Sequence, residues 1–294
     1  MSQFDLHTKA GIEKEIRHHV EKILQTQDED GMIPSMIEWT GREVQRKKDI
    51  PRQAMATMAL FFANQLVPSL AVTKSLDLSL HYVLNNLDEE EELAKIYTFL
   101  YLALGAIYAN TEPQLYITSF QRLLSAQLFS QPIAVNLYLR LSGLLPESLP
   151  QATYITEMMR YHLSLTPRSG RFFDYADVLV WGKELESGLA KREYDYLVDH
   201  LSNGWLWYEK HGPRATASVM GKIFEVFSYY EKNLEHSDEL YNQIMSHTAT
   251  SEYAKQTLGE YSSHILSEEN TLVVDDAHMH VLAGLCYRYD RFSV

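Results

Sequence analysis

Two carboxylates and two imidazoles fall within six residues, at Asp275, Asp276, His278 and His280. On a helix, His278 lies one turn from Asp275 and His280 one turn from Asp276. Acid catalysis is the chemistry this spacing offers. A carboxyl kept protonated by burial and by a like-charged neighbour can give its proton to a substrate, with an imidazole orienting it. The plainer alternative is that both aspartates open a helix and cap its positive end. A metal held by the four is a further alternative, and no metal is expected.

Other carboxylates come in helical-turn pairs, Asp174 with Asp177 and Asp195 with Asp199. Such pairs commonly lie on solvated faces, but glycosidases also use two carboxylates, and they stack sugars on aromatic rings. Trp39, Trp181, Trp205 and Trp207 supply candidate rings. The cluster Trp205, Trp207, Tyr208, Tyr229 and Tyr230 suits either a core or a cavity wall that steadies a cation. Cys286, set among Leu282, Leu285 and Tyr287, reads as a buried thiol. The chain has no P-loop, dinucleotide fingerprint, G-x-S-x-G elbow, H-E-x-x-H or D-D-x-x-D, and no cofactor is expected.

Paired helices must position these groups. Residues 11–26 place Ile12, Ile16, Val20 and Ile23 at helical spacing. A loop over 32–49 follows, containing Trp39, and a second helix starts near Pro51. The pattern returns at 76–87 with 93–110, 115–129 with 132–145, and 154–165 with 176–189. It returns again at 193–201, which leads through the aromatic turn into a helix ending near Tyr230, and at 237–248, extended by 252–266, with 275–289. The repeat is roughly 45 residues, near that of helical arrays, and no period-two strand pattern is evident. The first helix of each pair is amphipathic. The second is apolar nearly all round and must be buried on all sides. The expected fold is all-α: one domain over residues 1–294, an (α/α)6 toroid of about twelve helices in two concentric layers, with an open α-solenoid as the alternative.

Three stretches resemble the terpenoid cyclase and protein prenyltransferase superfamily. Gln27-x-x-Asp30-Gly31 is similar to that family's Q-x-x-D-G-x-W turn, with Met32 and Ile33 where an aromatic is usual. Ser202-Asn203-Gly204-Trp205 and Ser169-Gly170-Arg171-Phe172-Phe173 look like reduced copies. Val273-Val274-Asp275-Asp276-Ala277 is similar to the D-x-D-D-T-A motif of protonating cyclases, with Val273 at the first acidic position and Ala277 at the threonine. The resemblance implies an enzyme acting on a small apolar isoprenoid-type ligand, with Asp275 as proton donor and Asp276 beside it. The ligand would be bound by Trp205, Trp207, Tyr208, Trp181, His278, His280 and Trp39. Asp276, His280 and Cys286 are the ligand types of a prenyltransferase zinc, but not at its spacing. A helical-repeat scaffold binding a protein or peptide, and a carbohydrate-active enzyme on the same ring, are the competing expectations.

The totals narrow the choice. With 294 residues, 46% hydrophobic, 19 Tyr and 11 Phe, the chain can build a large core. A formal charge of −13 argues against a nucleic-acid partner, and the short basic run 42–48 reads as a solvated loop. One cysteine excludes an intrachain disulfide and suits a cytoplasmic location. No secretory signal is apparent at the start. The apolar run 96–109 is too short to span a bilayer, which takes about 20 residues.

Overall fold

The computed structural model describes residues 4–39, 44–123, 132–145, 172, 176–185, 187–203, 205–207, 215–246, 265, 272–273 and 275–292. Among them the chain is predominantly helical. The helices are α1 (Lys9–Thr26), α2 (Ile50–Leu66), α3 (Leu70–Asn86), α4 (Glu92–Tyr108), α5 (Gln114–Leu123), α6 (Pro132–Leu144), α7 (Val178–Leu185), α8 (Ser187–Asp199), α9 (Ala217–Tyr230), α10 (Glu235–Ser246) and α11 (Asp275–Arg291). The expected helices at 154–165 and 252–266 lie outside the described residues, apart from Ile265. No helix among the described residues is long and apolar enough to cross a membrane.

Local chemistry sets the helix starts. The side chains of Thr8, Asp49, Ser69 and Thr216 accept a backbone N–H from the first turns of α1, α2, α3 and α9. Ser69 moves the start of α3 six residues ahead of the expected position, because the hydroxyl-rich first turns hide the apolar period. The expected single helix over 176–189 is two, α7 and α8, and α8 absorbs the segment expected to begin at 193.

The all-α class holds, but the connections between helices carry short strands. Residues 36–47, expected as a loop, hold two antiparallel strands, β1 (Met36–Trp39) and β2 (Val44–Lys47). A third short strand, β5 (Leu272–Val273), pairs with β1 through Ile37 and Glu38. A second small pair, β3 (Leu201–Ser202) and β4 (Trp205–Leu206), carries the aromatic turn. Four-residue strands are too short for alternation to register, and the partner of β1 comes from the far end of the chain. The basic run is not free either. Arg46 pairs with Asp28 at 2.8 Å and donates to the Thr26 carbonyl.

Packing divides the helices into two sets. Helices α2, α4, α6, α7, α9 and α11 each pack on the next, and α11 packs back on α2, so these contacts run in a cycle. Outside them, α1 packs on α11 and α2, α3 on α2, α5 on α4, α8 on α7 and α10 on α9. The outer α1 buries Ile12, Ile16, Val20 and Ile23 as its spacing predicts, each contributing about 1.5–3 kcal/mol on burial. In contrast α2 is buried along nearly its whole length.

The most extensive helix–helix contact among the described residues, α9 on α11, depends on two glycines. A Cβ at Gly221 would lie 3.0 Å from the Ala277 carbonyl oxygen. One at Gly284 would lie 2.7 Å from the Phe224 ring and 3.0 Å from the Glu225 Cα. The turn after α1 is bound as closely. Gln27 donates to the Gly31 and Ser75 carbonyls, tying the end of α1 to α3. Buried Gln53 donates to the Gly31 carbonyl and Ser79 Oγ and accepts the Ile33 N–H at 2.6 Å.

Candidate functional site

The only charged residue of α6 is Arg140, in a helix otherwise built from apolar and small residues. A charge that cannot reach water must be paired, and the neighbouring inner helices supply the partners. Arg140 Nη1 lies 3.0 Å from Glu225 Oε1 and 3.4 Å from Asp177 Oδ1. Lys222 Nζ lies 2.8 Å from Asp177 Oδ1 and 3.2 Å from Glu225 Oε2. Lys222 and Glu225 are three apart on α9 and share a face, and Asp177 ends the turn before α7. His280, from α11, places Nδ1 2.7 Å from Glu225 Oε2. All five side chains are buried. Among the described residues two cations and two carboxylates therefore cancel, with an imidazole held on one carboxylate.

The electrostatics follow from that arrangement. Burial alone would raise the Glu225 carboxyl, but Lys222, Arg140 and His280 outweigh it and hold the group well below the usual carboxylate range. Burial works against the Arg140 cation, and Glu225, Tyr108 and Asp177 more than restore it. Glu225 is thus a fixed anion and a poor proton donor. A carboxylate bonded to one imidazole nitrogen fixes the ring's orientation and makes the other nitrogen more basic.

Above and below the cluster the inner helices differ in kind. At one end the first turns of α2, α9 and α11 meet. There buried Asp276 accepts from Ser218 Oγ at 2.7 Å and faces Arg52 Nη1 at 3.6 Å, while its other oxygen, Oδ1, has no partner. Toward the other end the same helices and α4 present rings. Phe62 and Tyr108 have centroids 4.4 Å apart, and Tyr287 lies 5.8 Å from Phe62, 5.7 Å from Tyr108 and 5.3 Å from Tyr229. The contacts are tilted or edge-on, as ring quadrupoles favour. Burial pushes the Tyr108 hydroxyl up from its ordinary value, and pushes up Tyr101, which also feels Asp177 and Glu225.

His278 belongs to a separate buried chain. The Ile265 N–H can only donate, so His278 Nε2 accepts it at 2.9 Å and its proton sits on Nδ1. That proton points to His19 Nδ1 at 2.8 Å, which leaves His19 Nε2 to donate to the Tyr241 hydroxyl at 3.3 Å. Tyr241 in turn donates to Glu15 at 2.7 Å. One backbone N–H thus fixes both tautomers, in a chain that joins α11 to α1 and α10.

The remaining candidates are scattered. Asp275 is the first residue of α11, and Trp39 ends β1. Trp181 is buried, its indole N–H donating to Asn136 at 2.9 Å. Trp205 is buried and Trp207 half-buried on the small β3–β4 turn. Tyr208 and Asp174 lie outside the described residues. Asp177, expected on a solvated face, is buried in the charged cluster because it lies where α6, α7 and α9 converge. Asp195 and Asp199 are exposed, and Asp195 pairs with Lys191 at 2.6 Å. Cys286 is buried, and burial pushes its thiol well up. Among the described residues no group of three or more His, Cys, Asp or Glu could hold a metal ion.

Arg140, Lys222 and Glu225 were not picked out by motif. The available signal was a charge inside a helix apolar on every side, as in VNLYLRLSGLL and ASVMGKIFEVF. No protein-family model matches the chain, and no curated protein matches it.

Proposed function

We propose that the paired helices close as an (α/α)6 toroid and that the chain is an enzyme acting on a hydroxyl-rich small molecule of the carbohydrate class. Support for the ring is the cycle of inner-helix contacts, in which the last inner helix packs on the first. An open array would keep those two apart. One observation carries the chemistry: the Glu225–His280 pair at 2.7 Å, buried where charged groups from α6, α9, α11 and the turn before α7 converge. His280 acts as general base, taking a proton from a water whose oxygen bonds to the anomeric carbon as the aglycone oxygen leaves with the bonding pair. Glu225 orients it, and Arg140 and Lys222 keep Glu225 ionised. A polyhydroxyl ligand offers donors and acceptors to such a site, whereas an apolar chain would leave them unmet.

The test is turnover of a panel of p-nitrophenyl glycosides, with His280→Ala as the decisive variant. Turnover by the wild type, lost in a folded His280→Ala protein, is expected. Unchanged turnover in that variant removes the dyad, and no turnover across the panel sinks the carbohydrate assignment.

A second proposal, terpenoid cyclase-like chemistry started by Asp275 beside Asp276, draws on the rings of Phe62, Tyr108, Tyr229 and Tyr287, which suit a cationic intermediate. Asp276, beside the donor this reading names, accepts from Ser218 Oγ and faces Arg52. Loss of product on Asp275→Asn, with folding intact, is the outcome this alternative requires.

A further inference from the structure

The guanidinium of Arg140 is only half used. Its Nη1 end meets Glu225 and Asp177 and the Tyr108 hydroxyl interacts with the guanidinium, while Nε and Nη2 are buried and make no well-formed hydrogen bond. Those two nitrogens form the side-on fork, whose parallel N–H vectors match the two oxygens of a carboxylate. Leaving such donors unmet in a protein interior costs about 1–3 kcal/mol per group, and more for a charged one. The guanidinium carbon also stands 5.4 Å from the Tyr287 ring centroid, and the Tyr287 hydroxyl is itself buried and unpartnered. The fork and a free hydroxyl thus occur together at the boundary between the charged cluster and the rings.

We propose that the Nε/Nη2 edge of Arg140 binds the carboxylate of the ligand, so that the substrate class is an acidic sugar or a comparable hydroxy acid. The claim rests on the carbohydrate-class proposal above for the rest of the ligand, but not for the carboxylate. Among the described residues Arg140 and Lys222 cancel Asp177 and Glu225, so the cluster carries no excess negative charge to repel a monoanion. Arginine suits this position because its rigid fork recognises a planar oxyanion, which a lysine ammonium cannot do.

The test is thermal-shift titration and calorimetry of the full chain with acetate, D-glucuronate and D-glucose, at constant ionic strength in chloride. Saturable binding of glucuronate and acetate is expected, with glucuronate at least tenfold tighter than glucose. Arg140→Lys keeps the charge and removes the fork, and it should lose that preference. Tyr287→Phe, which keeps the ring, should weaken glucuronate several-fold and serves if the arginine variant does not fold. Carboxylate binding that survives Arg140→Lys overturns the assignment. So does a wild type that binds no carboxylate. The two proposals fail separately. Glucose bound as tightly as glucuronate ends the carboxylate site and leaves the carbohydrate class standing. Fork-dependent acetate binding without turnover of any glycoside does the reverse.

Discussion

Replacing Glu225 by Gln keeps the side chain's shape and removes its charge. In the native protein that carboxylate stands 3.0 Å from Arg140, 3.2 Å from Lys222 and 2.7 Å from His280. After substitution, Asp177 is the one carboxylate among the described residues that still pairs with the two buried cations. Removing one partner of a buried pair strands the other, at a cost of about 3–5 kcal/mol. Lys222→Met alone strands the opposite charge and should cost a similar amount. The double variant leaves Arg140 with Asp177, which is balanced, so its cost should fall short of the two single costs added together by about 2 kcal/mol or more, within the range seen for contacting residues. Urea unfolding followed by circular dichroism measures all four corners of the cycle, provided the denaturant slope is unchanged. The pH dependence has a definite sign. Glu225 has its folded-state value depressed, so its contribution is present above the ordinary glutamate value of 4.5 and is lost as pH falls below it. Wild-type stability should therefore drop below about pH 4.5 more steeply than that of Glu225→Gln. Single-variant costs that add to within about 0.5 kcal/mol would refute the buried network, because only charges reached by water are independent at these distances.

Three more expectations can be measured. Gly284→Ala puts a methyl group 2.7 Å from the Phe224 ring, and the shift it forces on α9 should cost about 1–3 kcal/mol in urea unfolding. An unchanged midpoint would contradict the close approach of α9 and α11. Tyr241→Phe removes a hydroxyl that accepts from His19 and donates to Glu15, and should cost about 1.5–3 kcal/mol because one bond is to a carboxylate. A loss under about 0.5 kcal/mol would mean that the chain from His278 to Glu15 holds nothing together. Cys286, buried with its thiol pushed up, should resist alkylation in the native protein and react only on unfolding. Labelling at the rate of a free thiol would place it at the surface.

Much of the helical architecture was legible because burial has a period. The amphipathic α1 and the all-apolar α4 differ in the sequence as they differ in position. The end of α1 is tied to α3 by Gln27, a residue that stood out in the sequence only as part of a turn motif. The strands were hidden for a physical reason. The β1–β5 pairing joins residues more than two hundred positions apart, and neither strand is long enough to show alternation. The candidate site was hidden in a different way. Motif reading favours clustered acids and histidines, and so it found 275–280 and passed over single charges in apolar helices. His280 was singled out, but its partner Glu225 lies 55 residues earlier, and only the approach of α9 to α11 through Gly221 and Gly284 brings the two together.

The helices α2, α4, α6, α9 and α11 hold one another by two different means. Near their C-terminal ends α2, α4, α9 and α11 join through the rings of Phe62, Tyr108, Tyr229 and Tyr287, which bury area without desolvating a charge. About two turns away α6, α9 and α11 join through Arg140, Lys222, Glu225 and His280. Replacing a buried ion network by apolar groups of similar volume is often neutral or stabilising by about 1–4 kcal/mol, so stability alone does not account for this choice. The same chain demonstrates the apolar solution a short distance along the same helices. What the ionic layer adds is orientation. It fixes the plane of the His280 ring through Glu225, and it anchors Arg140 by one end so that the other end points away from its partners. The proposed base and anion-binding edge would need that set geometry, and a layer of tyrosines supplies neither.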